Sequence, residues 1–278
     1  MPIITDQGLI INKIPYGESD LLITFYTLNR GKMTGIGKGA KRSRKRFSGR
    51  LELFSLVRFT GFAKPGISLP RIDECELLDS FREIQYQPKA FFSGCYFLEI
   101  ISRCCPECQA NRQIFSLLTE LFGFLTIPAS KNFACQIRLF ELQIIALLGF
   151  APLLDYCLSC RKKVNQDMLF FDPEAGGLIC QSCHHRYPRA FPISRGTIAI
   201  LNKFLQIDSN LRKKLNFTPQ VMDETAKLCR TLLRWHTGQE FKSLKYIDKL
   251  PQGSQETLVK TTSPLAKSGH IRLTMEIK

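Results

Sequence analysis

Residues 30–50 read RGKMTGIGKGAKRSRKRFSGR, a run of basic residues and glycines without a single Asp or Glu. So many charges of one sign repel one another and cannot be buried unpaired, so the segment needs solvent or a polyanion beside it. Alternating apolar residues flank the run, with Leu21 and Ile23 before it and Val57 and Phe59 after it. This pattern predicts a loop or hairpin that projects from a β-sheet.

The cations of this run are candidate contacts for nucleic-acid phosphates. They are Arg30, Lys32, Lys38, Lys41, Arg42, Arg44, Lys45, Arg46 and Arg50. Lys and Arg bind phosphates whatever the base sequence, and the interleaved glycines would let the loop backbone approach the strand. The alternative is a solvated basic loop that only raises solubility.

The whole chain is basic, with 39 Lys and Arg against 24 Asp and Glu in 278 residues and a formal net charge of +15 at pH 7. This charge favours an anionic partner, and a nucleic acid is a better candidate than a membrane surface. Pro152 interrupts the longest apolar stretch, so no membrane-spanning helix is predicted. No signal peptide is predicted at the N-terminus either. We therefore expect a cytoplasmic protein whose cysteines are reduced or bind metal.

Five short β-strands are predicted before residue 82. They cover residues 9–14, 21–28, 32–36, 51–62 and 67–78, with glycine-rich turns between them. Five strands in about 80 residues are typical of a small barrel, and the oligonucleotide-binding (OB) fold is the commonest such barrel that meets nucleic acid. An open sheet is the alternative, because it would leave the same pattern.

Apolar residues follow a helical period from about residue 88 onward. Pro88 and Pro219 can each take a first helical position, while Gly149 and Gly238 are placed to end helices. We expect the apolar stripes of these helices to form the hydrophobic core, and they contain no cofactor-binding motif. The residues 251–278, rich in Ser, Thr, Lys and Gly, are predicted to be a disordered tail.

Four cysteines with the spacing C-x2-C-x19-C-x2-C predict a metal site. They are Cys157, Cys160, Cys180 and Cys183. Each pair would bring two thiolates to one side of a tight turn, and a hairpin would join the pairs into a tetrahedron around zinc. Because four protein ligands leave no open position for substrate, we expect one structural Zn²⁺. Four unligated thiols are the alternative, but they would leave this polar insert without a core.

The remaining cysteines and histidines indicate no catalytic site. Cys105 and Cys108 share the C-x2-C spacing, but they have no partner pair and follow a helix, whereas a redox motif precedes one. His184 and His185 could replace Cys183 as a ligand, but we expect them to be exposed neighbours of the metal site, and we expect His236 to be a helix-capping or packing residue. No phosphate-binding loop, dinucleotide fingerprint or nucleophile elbow is present, so no enzyme site is recognisable in the sequence.

Four motifs, in this order, are similar to those of one known family. They are Tyr16-Gly17-Glu18-Ser19-Asp20 with Gly37-Lys38-Gly39-Ala40-Lys41; Leu148-Gly149-Phe150-Ala151-Pro152-Leu153-Leu154-Asp155; Gly176-Gly177-Leu178-Ile179-Cys180; and His236-Thr237-Gly238 with Lys242-Ser243-Leu244. The chain resembles the bacterial recombination mediator family RecO. This resemblance implies an α+β chain with an OB-fold barrel at 1–82 and a helical domain at 83–250. It also implies a four-cysteine zinc ribbon inserted in that domain at 153–190.

The resemblance also implies a function and partners. A RecO-like protein would not be an enzyme. It would bind single- and double-stranded DNA, anneal strands and help load RecA onto DNA coated by single-stranded-DNA-binding protein, in DNA repair and recombination. RecR would be a partner, and the C-terminal tail of single-stranded-DNA-binding protein would dock on the helical domain beside basic residues such as Arg138. Lys38, Lys41 and their neighbours would form the DNA face, in the bacterial cytoplasm at the nucleoid. The residues alone leave two alternatives: a zinc-ribbon nucleic-acid-modifying enzyme and a transcription-type adaptor.

Overall fold

The computed structural model describes most of the chain. The described residues are 3–43, 46–47, 49–63, 69–127, 133–164, 168–206 and 217–247. Arg44 and Lys45 of the basic run, and the predicted tail 251–278, lie outside these ranges. In the described residues, no helix has both the length and the apolar character needed to cross a bilayer.

Five strands form a closed barrel in the order β1–β2–β3–β5–β4. They are β1 (Ile3–Tyr16), β2 (Asp20–Thr27), β3 (Gly31–Gly37), β4 (Leu56–Phe62) and β5 (Arg71–Asp79). All neighbours are antiparallel except β3 and β5, whose short parallel contact closes the barrel. Phe25 and Phe59 stack inside it with ring centroids 4.6 Å apart. The predicted five-stranded, OB-type barrel is confirmed.

Phe54 joins the barrel to the helical domain. The sequence predicts a strand from Leu51, but β4 begins only at Leu56 because the chain turns just before it, at Phe54. Phe54 has a φ of 73°, which is rare for a residue other than glycine. Its fully buried ring makes edge-on contacts with Phe91 and Phe122 of the helical domain. This packing holds the strained turn in place.

The helical domain contains the described helices that follow the barrel. They are α1 (Pro88–Cys104), α2 (Arg112–Leu125), α3 (Phe133–Leu147), α4 (Arg195–Gln206), α5 (Pro219–Thr237) and α6 (Leu244–Ile247). Pro88 and Pro219 open their helices as predicted, and the Thr218 side chain accepts a hydrogen bond from the backbone N–H of Val221. Gly238 ends α5 with a φ of 67°. The predicted helical part is confirmed.

Three short strands form a second sheet in the order β7–β6–β8. They are β6 (Met168–Asp172), β7 (Gly177–Cys180) and β8 (Phe191–Ser194). The sequence predicts the first two as a hairpin, but β8 is a further strand that pairs with β6 and leads directly into α4. Leu169 and Phe171 belong to the large core shared with the helices, whereas Phe170 packs with the cysteines. The sheet therefore has one face on the helical domain and one on the predicted metal site.

Candidate functional site

The four cysteines of the predicted metal site lie together at one edge of the small sheet. Their Sγ atoms are all within 4.8 Å of one another, and those of Cys160 and Cys180 are 3.8 Å apart. A tetrahedral ion with metal–sulfur bonds of about 2.3 Å needs sulfur atoms about 3.8 Å apart. Cys157, Cys180 and Cys183 are buried, and Cys160 is the most exposed of the four. These residues therefore fit one tetrahedral metal ion.

The backbone around Cys157 favours a thiolate, whereas the surroundings of Cys180 do not. Burial raises the pKa of the Cys157 thiol, but backbone N–H groups of Cys160, Cys180 and Ser159 that donate to its sulfur lower the pKa to about 6. Burial and the neighbouring sulfurs raise the pKa of Cys180 to about 12. Four sulfurs this close repel one another when ionised, and a bound cation removes that repulsion.

Three of the histidines are packing or surface residues. His184 stacks on Phe170 with ring centroids 3.8 Å apart, and His185 is exposed. The prediction that both side chains are exposed is therefore confirmed for His185 and wrong for His184, which is half-buried. His236 stacks on Phe150 at 3.7 Å, which confirms its packing role, and burial lowers its pKa.

Motifs that are far apart in the sequence meet around the small sheet. The backbone N–H of Leu153 donates to the carbonyl oxygen of Gly176 at 2.9 Å, and that of Leu178 donates to Leu153 at 3.0 Å. A Cβ atom at Gly177 would lie 2.6 Å from the Leu153 oxygen, so only glycine fits there. These contacts fix the cysteine turns against the helical domain.

The second cysteine pair does not join a metal cluster. Within the described part of the chain, the one group of three or more candidate ligands is that of the four cysteines above. Cys105 is buried, and burial raises its pKa to about 11. Cys108 is exposed, and its backbone N–H donates to the carbonyl oxygen of Lys32 at 2.8 Å. The pair lies where the barrel meets the helices.

Four cations of the basic run are brought together at one end of the β2–β3 hairpin. They are Lys38, Lys41, Arg42 and Arg46, and we call the described residues 37–43 and 46 the basic loop. The backbone N–H of Lys41 donates to the Ser19 oxygen at 2.9 Å, and its ammonium donates to the Gly17 oxygen at 2.6 Å. The Arg46 guanidinium donates to the Lys38 oxygen at 2.9 Å. The loop is therefore folded against the β1–β2 turn.

Asp20 anchors the start of the basic loop, and sequence reasoning missed it. Its carboxylate accepts hydrogen bonds from the Gly39 backbone N–H at 2.8 Å and the Lys38 ammonium at 2.7 Å. The Gly39 hydrogen bond and the Lys38 ammonium lower the pKa of Asp20 to about 2. Asp20 stands in the first motif, outside the run itself, and only the folded hairpin brings it back to Lys38 and Gly39.

Other cations of the run lie elsewhere. Arg30 is exposed and Lys32 is largely buried. Both lie at the far end of β3 from the basic loop. At roughly 3.4 Å per residue, the length of β3 separates them from the loop by about 20 Å. The Lys32 side chain is 12% exposed, donates to the Ser102 oxygen at 2.7 Å and lies 3.4 Å from Glu107. Arg50 donates to a backbone oxygen of β5 at 2.8 Å. The contiguous run of the sequence is thus divided in space.

Comparison with known proteins agrees with the resemblance. Residues 1–81 match the family model for the N-terminal part of recombination protein O, and residues 85–245 match the model for its C-terminal part. The chain belongs to the RecO family. It is 32% identical to the DNA repair protein RecO of Syntrophus aciditrophicus (strain SB), over 88% of this chain and 95% of that relative. It is 30% identical to that of Desulfatibacillum aliphaticivorans, over 90% and 98%.

Arg138, which the sequence offers as an example of the basic residues beside the proposed peptide site, is engaged inside the helical domain. The Arg138 side chain is 13% exposed and forms an ion pair with Glu141, which is fully buried. Glu141 also accepts a hydrogen bond from the Tyr96 hydroxyl. Arg138 therefore neutralises a buried carboxylate between α1 and α3, because a buried charge must be paired.

Proposed function

We propose that this chain is a DNA-binding mediator of DNA repair and recombination that acts without enzymatic turnover. It would bind single and double strands, anneal complementary strands and help load RecA onto DNA coated by single-stranded-DNA-binding protein. The observation that carries the proposal is the gathering of Lys38, Lys41 and Arg42 on a loop fixed by Asp20. Membership of the RecO family supports it.

The proposed DNA face is the basic loop together with Arg44 and Lys45, which are not described by the structure. Cations bound to phosphates carry no base readout, and annealing requires binding that does not depend on sequence. They also offset the repulsion between the two strands that annealing brings together. We leave Lys32 out of this face because its side chain is only 12% exposed and lies at the far end of β3, whereas the Lys38 side chain is 51% exposed.

We propose one structural Zn²⁺ at Cys157, Cys160, Cys180 and Cys183. Four thiolates in a tetrahedron are a preferred zinc environment and fill all of its coordination positions. The ion would tie the turn around Cys157 and Cys160 to the end of β7. Its contribution would be to the folding of the small sheet, with no place for a substrate.

RecR and the tail of single-stranded-DNA-binding protein are proposed partners, in the cytoplasm and at the nucleoid. Family membership is the support for both. An apolar groove rimmed by cations on the helical domain would suit a peptide with acidic residues and an aromatic end. Titration of this peptide onto isotope-labelled protein should perturb signals within residues 88–240. Perturbations confined to residues 3–80 would move the peptide site to the barrel.

Salt dependence of binding tests the DNA face. If about five phosphates of a single strand are neutralised, the slope of log K against log salt is near −3.5. Raising salt from about 50 to 200 mM should then weaken binding on the order of 100-fold. Alanine at Lys41, Arg42, Arg44 and Lys45 should remove about 0.7 of slope per lost contact, slow annealing and weaken binding to all sequences alike.

A charge-matched control distinguishes direct phosphate contacts of the loop from the effect of the protein's net charge on DNA binding. Alanine at four exposed cations elsewhere removes the same charge; these are Arg58, Arg71, Arg82 and Arg234. This control should keep most of the slope, because distant charges do not replace counterions on the bound strand. A loop variant that folds normally, binds as tightly as the wild type and keeps its salt slope would contradict the proposal.

A further inference from the structure

An apolar strip lies on the outside of the barrel, directly beside the basic loop. Tyr16 is 50% exposed and Ile14 is 47% exposed, and Leu22 and Ile36 are partly exposed. We call these four residues the apolar strip. The proposed function gives them no role, since it rests on cations and phosphates alone.

Strand register makes the strip continuous. Ile14 stands opposite Leu22 in the β1–β2 pair, and Leu22 stands opposite Ile36 in the β2–β3 pair. Residues directly opposite each other in a sheet point to the same face. Ile23, the next residue after Leu22, is fully buried inside the barrel, so the strip faces outward. A row of apolar side chains therefore crosses three strands.

The strip ends where the basic loop begins. Tyr16 stands opposite Asp20, and Asp20 holds both Lys38 and the Gly39 backbone. Lys41 reaches the carbonyl oxygen of Gly17, the residue next to Tyr16. An exposed aromatic ring and a group of cations are thus joined through one carboxylate and one turn.

We infer that the apolar strip, and Tyr16 above all, takes the unstacked bases of a single DNA strand whose phosphates bind the basic loop. This inference rests on the proposed function and adds a base-contacting residue to it. A duplex keeps its base faces stacked inside, so only a single strand can offer them to Tyr16. Aromatic stacking accepts every base, which suits a protein that must bind without sequence preference. The cations bordering the strip favour a polyanion over an apolar protein partner.

The role of Tyr16 can be tested with three variants, each measured for binding to single-stranded and to duplex DNA. Tyr16→Ala should weaken binding to single-stranded DNA about 5- to 150-fold, the range for the loss of one stacked base, and should leave the salt slope unchanged. Tyr16→Phe should bind as the wild type does, because the ring is retained. Tyr86→Ala is the matched control, because Tyr86 is 66% exposed on the turn before α1. Duplex binding should be equal in all three.

A strand with abasic sites provides the second arm. The wild type should bind it more weakly than the intact strand. This difference should be much smaller for Tyr16→Ala, because the main ring on which a base would stack is gone. Ile14→Ser should give a smaller loss of the same kind. Circular dichroism and thermal unfolding should be unchanged, because both side chains are exposed.

The outcomes separate this inference from the proposed function. If Tyr16→Ala binds single strands as tightly as the wild type while the basic-loop variant binds weakly, the inference is overturned and the proposed function stands. If the basic-loop variant also binds normally, the proposed function fails. Equal losses for single strands and duplex in Tyr16→Ala would overturn base stacking. If Tyr16→Ala instead changes self-association in sedimentation with DNA binding intact, the strip is an interface between copies.

Discussion

The Asp20 carboxylate accepts a hydrogen bond of 2.8 Å from the backbone N–H of Gly39, across the turn that begins the basic loop. Gly39 has a φ of +67°, so a tight turn forms there, and the carboxylate completes it. Lys38 adds its ammonium to the same carboxylate. One acidic residue therefore orders the start of a loop whose other charges repel one another.

Protonation of Asp20 at low pH should weaken its hydrogen bonds to Lys38 and Gly39. The pKa of Asp20 is lowered to about 2, below the ordinary value of about 3.9. Its contribution to stability is therefore fully present above about pH 4 and is lost as pH falls from about 4 toward 2. A carbon-13 titration of the carboxyl group should give a midpoint near 2. A midpoint at the ordinary value would contradict the anchor, and Asp20→Ala should speed Gly39 amide exchange, whereas Asp73→Ala on β5 should not.

Loss of one metal ligand should loosen the small sheet without unfolding the chain. Structural zinc sites are worth about 10–16 kcal/mol of apparent binding energy in small peptides. Here Leu169 and Phe171 remain packed in the helical core when the ion is lost. Cys160→Ser should lower the zinc content and raise proteolysis near Arg161–Arg189, while Cys108→Ser, also at an exposed thiol, should retain about one zinc per chain.

Zinc analysis decides this prediction. Wild-type protein purified in reductant and without chelators should contain zinc. If elemental analysis finds none, the metal proposal is wrong. If Cys108→Ser loses as much zinc as Cys160→Ser, the ligand set is wrong.

Two helical glycines should respond to alanine in opposite directions. A Cβ atom at Gly94 of α1 would lie 2.7 Å from Cε1 of Phe54, whose buried ring cannot move aside. Gly94→Ala should therefore lower the free energy of unfolding by about 1–3 kcal/mol. A Cβ atom at Gly123 of α2 meets nothing within 4 Å, so Gly123→Ala should raise it by about 0.5–1 kcal/mol. Urea unfolding measures both, and equal stability of the two variants would contradict the packing at Phe54.

Lys32 should matter for stability rather than for DNA. Removal of its ammonium breaks a charge-assisted hydrogen bond to Ser102, so Lys32→Ala should lower the free energy of unfolding by about 1.5–3 kcal/mol. Its salt slope for DNA should equal that of the wild type. Arg30→Ala removes the same charge from an exposed position two residues earlier and should unfold like the wild type. A flattened slope in Lys32→Ala alone would return Lys32 to the DNA face.

Local chemistry allowed several features to be predicted. The cysteine ligands could be identified because each pair is three residues apart, a spacing that one tight turn satisfies without help from the rest of the chain. Pro88, Pro219 and Gly238 mark helix ends for the same reason, since each acts through its own backbone. The strands of the barrel followed from their two-residue alternation, whereas closure into a barrel is a property of the tertiary structure.

Contacts between distant residues could not be predicted. The third strand of the small sheet, β8, carries no signal of its own strong enough to reveal its pairing with β6. The turn at Phe54 is stabilised by rings of α1 and α2, which a local pattern does not contain. Both depend on which surfaces meet when the helical domain packs on the barrel.

The basic run shows most clearly which features follow from the sequence and which depend on the tertiary structure. By itself, the sequence determined that residues 30–50 are cationic, rich in glycine and joined to a sheet. Only the tertiary structure decided which cations act together. It pairs Lys38 with Asp20, 18 positions earlier, and Lys32 with Ser102, 70 positions later. The physical reason is that β3 is extended, so it carries neighbouring charges to opposite ends of the hairpin, where each meets a different part of the fold.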